Sequence, residues 1–205
     1  MAQAPVDGPV RLSRSQPRAD PALERGYDAL QAGRLDDAQR DYEQVLRNDP
    51  KNTDALLGLA TIAGQQGQAE KAQRYYLRAL ESNPNDATAQ AGVISTRGLA
   101  DADLSESRLK TALSSQPDSP ALLFALGNLY ASQGRWSEAQ QVYFRAYATE
   151  PDNPDFIFNL AVSLDHLRQS KLAHQYYQMA LTAGESRTVS FDRNQARTRI
   201  LELQP

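Results

Sequence analysis

The sequence predicts an all-α fold built from repeated pairs of helices. Proline recurs at intervals of 34, 33 and 34 residues, at Pro50, Pro84, Pro117 and Pro151. Each of these prolines follows a stretch whose apolar residues have helical spacing. Because proline disfavours the helical conformation at the residue before it, the four prolines mark the ends of repeated units.

Further positions recur in the same frame. A bulky residue stands at Tyr42, Tyr76, Leu109, Tyr143 and Tyr177. A smaller apolar residue follows three positions later, at Val45, Ala79, Ala112, Ala146 and Ala180. Residues three apart on a helix share a face, so each pair is predicted to point into one core. Alanine also recurs where two helices are expected to cross closely, at Ala38, Ala72, Ala139 and Ala173.

The helix ends are marked as well. Glycine accepts the left-handed conformation that ends a helix, and it stands at Gly33, Gly67 and Gly134. Three units begin with a capping residue followed by proline at the first helical position, at Asp20-Pro21, Ser119-Pro120 and Asn153-Pro154. Each unit is therefore predicted to be a helix, a tight turn and a second helix.

One unit carries a family resemblance. The segment LFALGNLYASQGRWSEAQQVYFRAYATEPDN resembles a nearly ideal tetratricopeptide repeat (TPR), with signature residues Leu126, Gly127, Tyr130, Ala139, Tyr143, Ala146 and Pro151. The resemblance implies a right-handed TPR solenoid whose first helices line a concave, partner-binding surface. Five units are expected, at 19–52, 53–86, 87–119, 120–153 and 154–187.

The two ends of the chain differ from the repeats. Residues 1–18 contain three prolines without helical spacing and are expected to form an extended tail. Residues 188–205 are expected to form a capping helix that covers the last apolar face, with Phe191, Ile200, Leu201 and Leu203. The third unit is one residue short, and Gly92 and Gly98 are expected to loosen its first helix.

Charge and composition limit the functional classes. The net charge is −3; the first 18 residues carry +2, which leaves −5 for the remainder. An acidic folded part argues against nucleic-acid binding, which needs a basic surface. The chain has no cysteine, which excludes thiolate catalysis and cysteine-bound zinc. The sequence contains no stretch of about 18 apolar residues, which a membrane-spanning helix would need.

The sequence shows no catalytic pattern, so the protein is expected not to be an enzyme and to need no cofactor or metal. Its histidines, His166 and His174, are eight residues apart, whereas a metal-binding pair on one helix favours a spacing of four. Both are interpreted as ordinary surface histidines. Trp136 is expected to pack on the adjacent helix.

The resemblance places the binding surface on the first helices of the units. Large apolar residues at positions that the family leaves exposed predict an interaction site. A clamp for a C-terminal carboxylate is not expected, because no lysine or arginine stands at the corresponding positions. The predicted groove residues are Leu23, Tyr27, Leu57, Thr61, Phe124, Asn128, Phe158, Asn159 and Val162.

The sequence thus predicts a non-catalytic scaffold or adaptor that binds an apolar peptide or helix of another protein. It also resembles bacterial TPR proteins of type IV pilus and secretion systems, which implies pilus biogenesis or secretion in the periplasm or envelope. Two alternatives stay open: a cytoplasmic adaptor of a regulatory or chaperone complex, and the substrate-recruiting part of a larger enzyme.

Overall fold

A computed structural model describes residues 20–97, 101–185 and 188–203, and the chain forms eleven α-helices and no strand in these ranges. Ten helices form five consecutive hairpins: α1 (Pro21–Gln31) and α2 (Leu35–Asn48); α3 (Thr53–Gln65) and α4 (Ala69–Ser82); α5 (Ala87–Arg97) and α6 (Ala102–Ser115); α7 (Pro120–Ser132) and α8 (Trp136–Thr149); α9 (Pro154–His166) and α10 (Ser170–Ala183). The eleventh, α11 (Arg193–Glu202), packs on α10. The predicted tail at 1–18 and Gly98 lie outside the described residues.

The turns inside the hairpins follow the glycine pattern. Gly33, Gly67 and Gly134 have φ values of 71°, 72° and 72°, so the predicted left-handed helix stops are confirmed. The N–H after each stop turns back onto the helix, as when Arg34 donates to the carbonyl of Ala29 at 2.9 Å. In the fifth hairpin Arg168 takes this conformation, with φ of 61°.

The predicted caps also form. The side chain of Asp20 accepts a hydrogen bond from the N–H of Ala22 at 2.9 Å, and that of Asn153 accepts from Asp155 at 3.1 Å. Each cap satisfies a donor at the start of a helix that has no partner within the helix. Proline then follows at the first helical position, where its missing N–H costs nothing.

Close packing explains the small residues. The crossing alanines are fully buried, with at most 1% of their surface exposed, at Ala38, Ala72, Ala139 and Ala173. In the third hairpin Ser105 occupies this position. Its hydroxyl donates to the carbonyl of Asp101 at 2.9 Å, so the buried polar group is satisfied.

Gly92 has a packing role that the sequence does not reveal, and the expectation that it loosens α5 stays a prediction. A Cβ added at Gly92 would lie 2.4 Å from Cε2 of Tyr76 on the preceding hairpin. The missing side chain therefore makes room for the tyrosine ring. Gly92 is a packing position, because any larger residue would displace that ring.

The third hairpin is held mainly by its neighbours. α5 packs more extensively on α4 and α7 than on its own partner α6. α6 is anchored to the fourth hairpin by Glu106, whose carboxylate lies 2.6 Å from Nη1 of Arg135. The same carboxylate lies 2.6 Å from Nζ of Lys110 on α6 itself. These charge-assisted bonds, from Arg135 foremost, lower the pKa of Glu106 to about 2.

The C-terminal helix covers the last hairpin differently from the expectation. Ile200 is buried as predicted, but Leu201 is 67% exposed and Phe191 precedes the helix instead of lying on it. A bidentate ion pair adds to the attachment of α11, with Nε of Arg199 2.6 Å from Oδ2 of Asp165. Hydrogen bonding from Arg199 lowers the pKa of Asp165.

Candidate protein-binding groove

The candidate groove is the face formed by the first helices of the hairpins, α1, α3, α5, α7 and α9. α1 packs beside α3, and α5 packs beside α7. The structure divides the predicted groove residues into three groups along this face. They are an N-terminal group of Leu23, Tyr27, Leu57 and Thr61, a middle group of Phe124 and Asn128, and a C-terminal group of Phe158, Asn159 and Val162.

The N-terminal group lines one open cavity of about 650 Å³ between α1 and α3, the N-terminal pocket. Leu23 and Tyr27 are one helical turn apart on α1, and Leu57 and Thr61 are one turn apart on α3, so each pair faces the same side. The side chain of Tyr27 is 58% exposed. The pocket therefore presents a large aromatic ring to solvent.

The floor of the pocket is the ring of Tyr42, which comes from α2. Two glycines let this ring lie between α1 and α3: a Cβ at Gly26 would lie 2.9 Å from it, and one at Gly58 would lie 2.4 Å from it. Burial raises the pKa of the Tyr42 hydroxyl to about 12, with further contributions from Tyr27 and the negative charge of Asp54. The floor is therefore uncharged at neutral pH.

The rim of the pocket is acidic. Glu24 and Asp28 project from α1, Asp54 projects from the first turn of α3, and all three residues are exposed. Among the residues that the structure describes, no lysine or arginine lines the pocket. The site therefore combines an apolar interior with negative charge on both walls.

The middle group is partly engaged by the chain itself. Phe124 is half-buried, with its ring centroid 5.0 Å from that of Phe156 and 5.8 Å from that of Tyr143. The amide oxygen of Asn128 accepts a hydrogen bond from the Tyr143 hydroxyl at 2.7 Å. A smaller cavity of about 260 Å³, which Asn128 and Ser95 help to line, remains open beside them.

The C-terminal group is covered. The ring of Phe158 stacks on that of Phe191, with centroids 4.3 Å apart and planes 3° apart, and meets Tyr177 edge-on. The amide of Asn159 donates to the carbonyl of Asp155 in its own helix at 2.8 Å. Val162 is half-buried against the same core. This end of the groove is thus filled by residues that follow the last hairpin.

Phe191 belongs to a closing segment, residues 188–192, between α10 and α11. The N–H and hydroxyl of Ser190 donate to the carboxylate of Asp155 at 2.8 and 3.2 Å. Burial raises the pKa of Asp155, and these two hydrogen bonds partly oppose the effect. The hydroxyl of Thr188 donates to the carbonyl of Gln31 at the end of α1, at 2.8 Å. The closing segment therefore contacts both the first and the last hairpin.

The closing segment is the feature that sequence reasoning missed. Its residues follow the repeat pattern nowhere, and no local signal connects them with α1 or α9. The apolar residues Val189 and Phe191 in a polar stretch indicate that the segment packs against the fold, but the spacing of Phe191 from Ile200 suggests the final helix instead.

The aromatic and histidine residues outside the groove have structural roles. Trp136 stacks on His166 of the next hairpin, with ring centroids 3.6 Å apart, as expected for packing on the adjacent helix. A helix boundary separates the two histidines, because α9 ends at His166 and α10 begins at Ser170. His166 is exposed, as expected. His174 differs from the expectation, because it is half-buried and its Nε2 has no hydrogen-bond partner among the described residues. Within residues 20–97, 101–185 and 188–203, no group of three metal-ligating side chains is suited to hold an ion.

Comparison with protein families agrees with the geometry. Models of the tetratricopeptide repeat match residues 29–93 and 124–187, and a model of YpiA-like tetratricopeptide repeats matches residues 97–150. The chain belongs to the tetratricopeptide-repeat family, whose members generally mediate protein–protein interactions. None of the described helices has the length and apolar character needed to cross a bilayer.

Individual relatives share the fold. Cellulose synthase operon protein C of Pseudomonas fluorescens (strain SBW25) is 28% identical over 172 residues, which cover 80% of this chain but only 13% of that protein. A thermophilic TPR protein of Thermus thermophilus superposes with a TM-score of 0.71 at 22% identity, over 89% of this chain and 96% of that one. PilW, a widely conserved type IV pilus biogenesis factor, gives a TM-score of 0.62 at 22% identity, over 89% and 84% of the two chains.

Proposed function

We propose that this protein is a non-catalytic adaptor that holds an apolar segment of a partner protein in the N-terminal pocket, as part of a bacterial envelope assembly. The main support is the pocket itself, an apolar cavity of about 650 Å³ with the ring of Tyr27 exposed at its edge. Exposed apolar surface in a concave site is typical of interaction surfaces.

The pocket supplies the kind of contact that binds peptides. A partner side chain that covers Tyr27, Leu23 and Leu57 removes apolar area from water, at about 25 cal/mol for each Å². Aromatic residues in the centre of an interface often provide most of the binding free energy. Tyr27 is therefore the proposed anchor, with Leu57 as its counterpart on the opposite wall.

The rest of the groove directs the partner to this end. Phe158 is stacked on Phe191, and Asn128 accepts a hydrogen bond from Tyr143, so Phe158 and Asn128 already have partners within the chain. A ligand at the C-terminal end would have to displace the closing segment first. The open N-terminal pocket imposes no such cost.

The proposed setting is the assembly of a pilus or secretion system in the periplasm or envelope. It is suggested by the descriptions of similar proteins, a pilus biogenesis factor and a cellulose synthase operon protein. Because this chain corresponds to 13% of the latter, the activity of that whole protein is not transferred to it.

Affinity capture in the native cell tests the proposal. The tagged full chain is compared with Tyr27→Ser and with Phe144→Ser, which removes an aromatic ring of similar exposure (49%) from α8, outside the N-terminal pocket. We expect the partner to be captured by the parent chain and by Phe144→Ser and to be lost with Tyr27→Ser. Equal capture by all three proteins would contradict the assignment, and an envelope assembly component should be among the captured proteins.

A further inference from the structure

The walls of the N-terminal pocket carry negative charges, although its floor is apolar. Glu24 and Asp28 are four residues apart on α1, which places them one turn apart on the same side of the helix. Asp54 stands on the opposite wall, on α3. The apolar floor therefore lies between carboxylates on both sides.

These carboxylates have no ion-pair partner among the described residues, although ion pairs are formed nearby. On the other side of α1, Nη2 of Arg25 lies 2.9 Å from Asp41, and Nε of Arg34 lies 3.4 Å from Asp37. These ion pairs line a second cavity, which carries charges of both signs. Asp28 borders both this cavity and the N-terminal pocket. Glu24 and Asp54 border only the N-terminal pocket, whose described lining residues include no side chain of opposite charge.

We infer that the occupant of the N-terminal pocket is a segment of a partner protein in which an aromatic side chain is flanked by arginine or lysine. The inference rests on the proposed function and specifies the ligand's chemistry. The aromatic ring fills the space between Tyr27 and Leu57, and the flanking cations meet the carboxylates on the two walls. An acidic or uncharged segment would leave those charges without a counter-ion.

The two parts of the ligand have different effects on binding. The ring supplies affinity through buried apolar area, whereas exposed ion pairs contribute modestly, about two- to fivefold in affinity each. Charges on both walls also favour a cationic ligand over an anionic one and accelerate its encounter with the site. Because the carboxylates are exposed, the preference for a cationic ligand is expected to weaken with salt.

A second explanation of the acids is local. Glu24 and Asp54 lie in the first turns of their helices, where a negative charge stabilises the helix dipole. Asp103, in the first turn of α6, has the same relation to its helix but does not line the N-terminal pocket. Asp103→Asn is therefore the matched control for any effect on helix stability.

The test measures binding of three fluorescent peptides to the full chain by anisotropy. The first carries one phenylalanine with arginine on each side in a glycine–serine background, the second replaces both arginines with glutamate, and the third replaces the phenylalanine with alanine. We expect the arginine peptide to bind tightest and the other two to bind at least tenfold more weakly. In the double variant Glu24→Gln, Asp54→Asn the arginine peptide should bind about four- to twentyfold more weakly, while Asp103→Asn leaves its affinity unchanged.

Several results would overturn the inference. They are equal binding of the arginine and glutamate peptides, no binding of the arginine peptide, or no effect of the double variant. If the arginine and glutamate peptides bind equally and Tyr27→Ser abolishes the binding of both peptides, the ligand chemistry is wrong but the proposed function stands. If the Tyr27→Ser variant binds them like the parent chain, the assignment of the pocket as the binding site fails as well. If the double variant Arg11→Gln, Arg14→Gln binds the arginine peptide more tightly than the parent chain does, the occupant is the chain's own basic residues and not a partner.

Discussion

The hydroxyl of Thr188 donates a hydrogen bond to the backbone carbonyl of Gln31 at 2.8 Å, across 157 residues of chain. The backbone N–H of Thr188 approaches the same oxygen at 3.3 Å. Repeat proteins of this type are usually held by contacts between neighbouring units. Here the segment after the fifth hairpin also contacts the first, so hydrogen bonds link the two ends of the repeat array.

Removal of the Thr188 hydroxyl should loosen the link between the ends of the array, because only the longer bond from the backbone N–H remains. Thr188→Val keeps the shape of the side chain but removes its donor, and Thr182→Val on α10 is the matched control. Because the chain has no cysteine, spin labels can be placed specifically at Asp36→Cys and Gln178→Cys. We expect the distance distribution between them to broaden in Thr188→Val and to stay unchanged in Thr182→Val. Equal distributions in all proteins would mean that this bond does not hold the ends.

The stack of Phe191 on Phe158 should stabilise the C-terminal end of the fold. Phe191→Ala removes a half-buried ring and is expected to lower the free energy of unfolding by about 1–3 kcal/mol. Leu201→Ala, which removes an apolar side chain that is 67% exposed, should change it by less than about 0.5 kcal/mol. Urea denaturation distinguishes the two. Similar losses in both variants would argue against the stack as the source of stability.

Alanine substitutions at Gly92 and Gly64 are expected to change the stability of the fold in opposite directions. Alanine at Gly92 would place a Cβ 2.4 Å from the ring of Tyr76, whereas alanine at Gly64 meets nothing within 4 Å. We expect Gly92→Ala to destabilise the fold by about 1–3 kcal/mol and Gly64→Ala to stabilise it by about 0.5–1 kcal/mol. The midpoints of thermal unfolding report both. A gain in stability with Gly92→Ala would mean that the fold does not need a glycine beside the ring of Tyr76.

The parts of the fold that can be predicted are those set by local rules. Glycine at Gly33, Gly67 and Gly134 favours a left-handed turn, and a capping side chain followed by proline begins α1, α7 and α9. Arg168 shows the limit, because it takes the same conformation without a glycine to reveal it. The packing role of Gly92 is hidden from the sequence for a related reason: it depends on a tyrosine 16 residues away in another hairpin.

The N-terminal part of the candidate site is accessible to the same reasoning. Leu23, Tyr27, Leu57 and Thr61 line one pocket because residues four apart on a helix share a face. The cover over Phe158 could not be predicted, since it comes from a segment that breaks the repeat.

Acid should weaken the attachment of α6 through Glu106. Its pKa is about 2 in the folded chain, below the ordinary value of 4.5. As the pH falls from 4.5 towards 2 the unfolded chain binds a proton that the folded chain does not, so stability is lost in that window. Glu106→Gln should lose less stability there than the parent, while exposed Glu70→Gln should behave like the parent. Parallel urea midpoints for parent and Glu106→Gln between about pH 6 and pH 3 would contradict this.

Docking of a partner protein at the N-terminal pocket is the central prediction for this protein. Incorporation of a photo-cross-linking amino acid at Tyr27, and separately at Phe144 on α8, tests it in the native cell. We predict that irradiation joins the partner to the chain from position 27 and not from position 144. A partner that cross-links from position 144 and never from position 27 would contradict the claim.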